Sequence, residues 1–294
     1  MPCYHPLTAW RAPPLQVTRA GDVVFNDPHD SRYKEIQVAC GQCIGCRLER
    51  SRQWAMRCVH EASLYDDNCF LTLTYDDAHL PPDWSLNTED IQLFMKRLRR
   101  RIEPAKVRFF QCGEYGEQFG RPHHHVILFG YDFPDKELIS RNIGNNVYRS
   151  DLLCDLWNKG FSSIGSVTFE SAAYVARYIL KKVTGSSAED HYQGRKPEYI
   201  TMSRRPGIGK DWFDLFSCDI YPKDFITIKQ GLKCHPPKYY DKLYERNHYV
   251  ELKSIKSKRQ EVFNRPEYQS ELLRLHSKEQ HKLLIIKQLQ RKIQ

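Results

Sequence analysis

Apolar positions change period along the chain, and the changes mark its elements. Residues 69–75, CFLTLTY, alternate apolar with polar and are rich in β-branched and aromatic types, which predicts a strand. From 87 to 102 the period lengthens. Ile91, Phe94, Met95, Leu98 and Ile102 recur at helical spacing, and Lys96, Arg97, Arg99, Arg100 and Arg101 take the other face. Asn87 supplies the N-cap and Pro104 the stop. KVRFFQC (106–112) and HHHVILFG (123–130) read as strands joined by a glycine-rich hairpin, GEYGEQFGRP. Ser150 caps a short helix that runs to Asn158, with Gly160 as its stop. FSSIGSVTF (161–169) reads as a strand and SAAYVARYILKKV (171–183) as a helix. An earlier helix is expected from about Arg47 to Leu64, and residues 267–293 also look helical. Residues 1–39, punctuated by Pro2, Pro6, Pro13, Pro14 and Pro28, read as irregular.

From residue 69 the order is β-α-β-β-α-β and one more helix, the order of a ferredoxin-like split βαβ unit. The expected class is α+β with a mainly antiparallel sheet, helices on one face and the other face open for a site. A Cys-rich segment with a basic helix (1–64) precedes this domain (65–245), and a basic helical tail (246–294) follows it. An apolar content of 40% in 294 residues excludes wholesale disorder. No apolar run reaches the ~18 residues of a membrane span, and MPCYHPLTAW lacks the layout of a secretory signal. Ten cysteines are too sparse for a disulfide scaffold, and their clustering suggests metal binding in a reducing cytoplasm. The net charge of +9 favours a polyanionic partner, but residues 251–294 hold +6 of it. Affinity elsewhere would have to come from local patches. The candidates are the 96–101 run, the arginines of 47–57 and SRRPGIGK (203–210), with Trp54, Tyr115 and Trp212 available to stack bases.

Three constellations could carry chemistry. Side chains alternate along a strand, so His123 and His125 share a face and His124 points away. Two imidazoles about 7 Å apart suit a divalent ion, and Glu114 on the other hairpin arm could add an oxygen. Three adjacent histidines as edge-strand polar residues are the alternative. Tyr174 and Tyr178 lie one helical turn apart, in a sector with Arg177 and Lys181. Ala172, Ala176, Ile179 and Val183 fall opposite and complete an apolar stripe without them. Core packing is the usual fate of helical tyrosine, but the two cations point to an anion-facing surface. Lys181, Arg177 and a metal would lower the proton affinity of a phenol that is otherwise a weak nucleophile. Finally, Cys3 with Cys40, Cys43 and Cys46 could form a Cys₄ structural zinc site; scattered buried thiols are the alternative.

Taken together these residues resemble a known family. FLTLTYDD, CGEYGEQFGRPHHHVILFG and AAYVARYILKK look like the three motifs, in order, of rolling-circle replication initiators, the HUH (His-hydrophobic-His) endonucleases. The paired tyrosines resemble its two-tyrosine branch. PCYHP, CGQCIGCRLERSRQWAMRC and ITMSRRPGIGKDWF are similar to the gokushovirus type of the Microviridae. The resemblance covers roughly residues 1–245. It implies a divalent metal, Mg or Mn, at His123 and His125, with nucleophilic roles for Tyr174 and Tyr178; Glu114 as third ligand follows from its place in the hairpin. It implies nicking and rejoining of single-stranded origin DNA in the cytoplasm of a bacterial host, with no membrane partner. No phosphate-binding GK[ST] loop is present, so strand separation would fall to a host helicase, alongside a host DNA polymerase. A plasmid relaxase, an HUH transposase and a non-enzymatic zinc-dependent nucleic-acid-binding protein are the competing classes. One position departs from the motif: its middle residue is His124 instead of an apolar residue.

Overall fold

A computed structural model of the chain describes residues 3–13, 23–116, 119–142, 145–177, 188–228, 231–263 and 272–291. In chain order the first elements are β1 (Leu7–Arg11), β2 (Val23–Val24), β3 (Lys34–Val38) and α1 (Ile44–Ala62). Next come β4 (Asn68–Tyr75), α2 (Thr88–Arg101), β5 (Arg108–Tyr115), β6 (Pro122–Phe129), β7 (Glu137–Asn142) and β8 (Asn145–Arg149). They are followed by α3 (Asp151–Trp157), β9 (Gly160–Gly165), α4 (Phe169–Arg177), α5 (Ala188–Tyr192), β10 (Tyr199–Met202) and α6 (Lys210–Ile220). The last are β11 (Ile226–Thr227), β12 (Lys233–Cys234), α7 (Lys238–Tyr244), α8 (Tyr249–Phe263) and α9 (Leu272–Arg291). The chain forms two compact units, residues 51–217 and residues 1–50 with 218–294.

The 51–217 unit is built on a seven-stranded sheet in the order β10-β5-β6-β4-β9-β8-β7, antiparallel at every pairing. Its inner four strands, β5-β6-β4-β9, have the split βαβ order expected from the sequence. Leu71, Leu73 and Tyr75 of β4 and Val126 and Leu128 of β6 pack one face against Ile91, Phe94 and Leu98 of α2 and Leu153 and Trp157 of α3. Each such side chain, fully removed from water, contributes roughly 1.5–3 kcal/mol. Caps fix the two helices: the Asn87 side chain accepts from Glu89 N–H, and Ser150 Oγ accepts from Leu153 N–H.

The opposite face is not open, as the sequence pattern suggests. Phe110 and Cys112 of β5 and Ile127 and Phe129 of β6 are covered by Ala55 and Cys58 of α1 and by Ala172 and Val175 of α4. The short-residue stripe of α4 allows this close approach. A second difference concerns the end of α3. Asn158, left-handed at φ 48°, terminates it. Gly160, at φ +136°, instead serves β9: a Cβ there would lie 2.2 Å from Asp76 N, so only glycine lets β9 lie beside the end of β4.

The described part of residues 1–39 is not wholly irregular. Within the other unit β1, β2 and β3 form an antiparallel sheet in the order β2-β1-β3. These strands are short, and Ala9 alone among their residues is fully buried, so they carry almost no alternation to read. Further along this unit, Arg259 of α8 pairs with Asp224 and Asp241, while Tyr221 donates to Asp241 at 2.6 Å. The C-terminal helix expected at 267–293 is α9, and its Glu279 lies 2.6 Å from His5 Nε2. No described helix is long and apolar enough to cross a membrane.

Candidate active site and cysteine cluster

Strand register sets the site. Across β9, β4, β6 and β5, one row of paired residues reads Phe161, Thr74, His123 and Glu114. The adjacent row on the same face reads Ser163, Thr72, His125 and Cys112. Thr72 Oγ1 lies 3.1 Å from His125 Nδ1, and Thr74 Oγ1 lies 3.0 Å from His123 Nδ1. Each imidazole is thus gripped by one nitrogen from the neighbouring strand. His125 Nε2 lies 2.7 Å from Glu114 Oε1, with both side chains almost fully buried. His123 is half-buried. Gly116 lies against it: a Cβ there would come within 2.8 Å of His123 Nε2, so glycine leaves the room the ring needs.

Tyr174 of α4 sits over this face. Its ring meets His125 edge-on at 5.3 Å between centroids, and Phe70 at 6.4 Å. Ala172, Val175 and Ala176 form the buried side of α4, while Tyr174 is half-buried. His123, His125, Glu114 and Tyr174 therefore converge on one region of the sheet. Tyr178 and Lys181 lie outside the described residues. Thr72 and Thr74 had not been singled out from the sequence. Their signal was present: two hydroxyls at alternate positions of the strand that pairs with the histidine strand.

His124 points to the other face and is fully buried. Tyr199 donates to its Nδ1 at 3.1 Å, and its Nε2–H donates to the Tyr75 hydroxyl at 3.0 Å, which itself donates to Asp90 at 3.0 Å. The chain of donors requires the neutral Nε2–H tautomer. Burial agrees with it, pushing the His124 pKa down to about 3.

Cys3, Cys40, Cys43 and Cys46 stand with their Sγ atoms within 4.8 Å of one another. Among the described residues they are the one His/Cys/Asp/Glu group of this kind; on the candidate catalytic face Glu114 is instead hydrogen-bonded to His125. The thiol pairs Cys40–Cys46 and Cys43–Cys3 are separated by 4.0 and 3.9 Å. Tetrahedral sulfur around zinc at ~2.3 Å gives an edge of about 3.8 Å. Backbone N–H groups of Tyr4, Cys40 and Cys43 donate to Cys43, Cys3 and Cys40 Sγ, each at 3.3 Å. Burial opposes the Cys43 thiolate, but backbone and thiol donors outweigh it and bring its pKa to about 7. The group could hold a metal such as zinc.

The suggested base-stacking patch is partly internal. Arg57 is buried over the Trp54 ring at 4.0 Å and donates to Ile208 O at 3.0 Å. Trp212 stacks on buried His60 at 3.5 Å. Buried Glu61 receives Arg108 and, at 2.6 Å, the Gly209 N–H, tying down part of the SRRPGIGK segment. Lys96, Arg99, Arg100 and Arg101 remain exposed.

The model of the family described as replication-associated protein ORF2/G2P matches residues 68–183, which contain the histidine strand and α4. Over 257 residues the chain is 35% identical to replication-associated protein VP4 of Bdellovibrio phage phiMH2K, spanning 84% of this chain and 78% of that protein. Over 268 residues it is 34% identical to replication-associated protein ORF2 of Spiroplasma virus 4, spanning 86% and 82%. Replication-associated protein ORF4 of Chlamydia phage 1 is 32% identical over 228 residues, 73% of this chain and 55% of that protein. No solved structure matches. With its α+β fold and with relatives of this identity aligned along most of its length, the chain belongs to the replication-associated proteins of Microviridae-type phages.

Proposed function

We propose that this protein initiates rolling-circle replication by nicking and rejoining single-stranded origin DNA, with Tyr174 and Tyr178 as nucleophiles. One observation carries the reading: Tyr174 packs edge-on against His125, whose Nε2 faces Glu114 Oε1, on the face that also bears His123. The donor set fits a divalent ion such as Mg or Mn. Nitrogen and carboxylate oxygen already meet, and threonine hydroxyls hold the remote imidazole nitrogens in the way that orients metal-ligating histidines. His123, His125 and Glu114 would hold it. When bound, such an ion supplies positive charge to the scissile phosphate.

The chain's own residues account for the rest. The Tyr174 oxygen attacks phosphorus, the bond from phosphorus to the 3′ oxygen breaks, and the phenol proton ends on that oxygen. The products are a 5′-phosphotyrosine link and a 3′-OH primer. Because one phosphodiester replaces another, rejoining needs no nucleotide cofactor. A second tyrosine one helical turn on cuts the regenerated origin while the first still carries DNA, and the released 3′-OH attacks the first link to close a circle. Thr72 and Thr74 orient the imidazoles, and His124 supports the sheet from behind. The Cys₄ group binds structural zinc and organises the N-terminal segment. In the host cytoplasm, a helicase and a DNA polymerase complete the replication machinery.

The test is incubation of the full chain with labelled single-stranded DNA from the phage origin region and Mn²⁺, followed by a denaturing gel and peptide mapping. The expected product is DNA covalently attached to Tyr174 or Tyr178, with Tyr174 as the first nucleophile. An adduct on neither tyrosine, or cleavage without an adduct, would overturn the mechanism.

A further inference from the structure

Phe161 has no evident role in folding. It is 70% exposed, although it lies inside the sheet's register opposite Thr74. Alternation places it on the face of Thr74 and His123, since its neighbour Ile164, an odd number of residues away, packs into the core on the opposite face. Thr74 is the hydroxyl that holds His123 Nδ1. Two strand spacings of ~4.8 Å put Phe161 about 10 Å from His123 across the sheet. On its outer side β8 meets β9 only at Tyr148–Ile164 among the described residues, so no strand crosses beside Phe161. Its position is also fixed: Gly160 lets β9 press against the end of β4, where any side chain would strike the Asp76 and Thr74 backbone.

Resting on the proposed nicking reaction, we infer that Phe161 is a stacking platform for an unpaired base next to the scissile phosphate. A rigid backbone holds a flat apolar ring in solvent, within a nucleotide or two of the candidate catalytic histidine. That is what a single strand needs in order to be held without base-pair readout: every base has a π-face, whatever its identity. Most of the chain's +9 lies in residues 251–294, so what favours a nucleic-acid base here is the ring's place in the row of Thr74 and His123 and not the overall field. Phe161 thus positions the strand and takes no part in bond making.

The test uses full-length protein and labelled oligo(dT) without added divalent metal, so that binding is separate from cleavage. Phe161→Ala should weaken binding on the order of ten- to hundredfold, as loss of one base–aromatic stack does. Its melting temperature should stay at the wild-type value. Phe161→Tyr and Phe161→Trp should bind like the wild type, whereas Phe161→Leu should behave like Phe161→Ala, because stacking needs a ring. In Phe161→Trp the indole emission should be quenched by the oligonucleotide. Undiminished binding by Phe161→Ala overturns the inference. So does rescue by leucine together with a change in sedimentation of Phe161→Ala, which would make the residue a contact between copies of the chain. Absence of a tyrosine adduct in the wild-type cleavage assay is a different result, and it overturns the parent reading whatever the binding data show.

Discussion

Replacing His124 by alanine separates a supporting histidine from the two on the candidate catalytic face. The imidazole is fully buried and ringed by Tyr75, Trp157 and Tyr199 at centroid distances of 5.7, 5.8 and 6.2 Å. Removal opens a cavity bounded by these rings. It also deprives the Tyr199 hydroxyl of its acceptor, while Tyr75 keeps Asp90. An orphaned buried hydroxyl costs about 1–3 kcal/mol, and a cavity left by a ring adds a further ~2 kcal/mol or more. A total of roughly 3–5 kcal/mol follows. At about 2–4 °C per kcal/mol for a unit of this size, the melting temperature should fall by roughly 6–20 °C. Thermal denaturation followed by circular dichroism reads this directly, and nicking assayed well below the lowered midpoint should persist. His125→Ala should show the reverse pattern, with lost nicking and lost Mn²⁺ binding. A His124→Ala protein that melts like the wild type yet fails to nick would refute the assignment of the two faces.

Acid should destabilise the fold. His60 and His124 are both pushed down to about 3 by burial. Between an unfolded value near 6.5 and that folded value, the unfolded chain binds two more protons, so stability rises with pH and is lost on acidification, by up to ~2.7 kcal/mol per unit. Urea denaturation across pH 4–7 measures this, and a flat profile would contradict neutral burial. Thr72→Val, nearly isosteric, should weaken Mn²⁺ binding by about 10–100-fold, read by electron paramagnetic resonance; unchanged affinity would leave the hydroxyl without an orienting role. Purified protein should carry about one zinc per chain and lose it in Cys43→Ser, checked by elemental analysis; metal-free, stably folded protein would remove the zinc proposal. Tyr174→Phe or Tyr178→Phe alone should leave some nicking but no joining, and the double change should leave none; a double variant that still forms adducts would exclude both residues.

Much of the sheet was legible because its inner strands and the α2 helix each bury one face, so periodicity and burial coincide. Alternation alone sufficed to separate His124 from His123 and His125, since a strand offers no other geometry. The β7–β8 hairpin was missed for the opposite reason. It forms the edge of the sheet, and Leu138 and Ile139 both remain exposed, so no alternation marks it. The coverage of the second face was also illegible. Ala55, Cys58, Ala172 and Val175 are small, and small residues announce close packing only once a partner is known. Trp54, Arg57 and Trp212 look like ligands for nucleic acid in a sequence. In the fold Arg57 covers Trp54 and donates to the backbone, and Trp212 stacks on His60, because a long amphipathic side chain can bury its stem and still find an acceptor.

The pairing of His5 with Glu279, 274 positions apart, bears on how the molecule is made. During vectorial synthesis residues 51–217 emerge as an uninterrupted stretch, and the strands bearing the candidate catalytic face can pair as soon as they leave the ribosome. The unit that contains the cysteine cluster is split around that stretch and must wait for α9. At about 5–20 residues per second, the remaining segment takes roughly 4–15 s to appear. The nascent chain thus has its histidine strand in place before the unit around the cysteine cluster is complete, although the four thiols and the N–H groups that donate to them all lie within its first 46 residues.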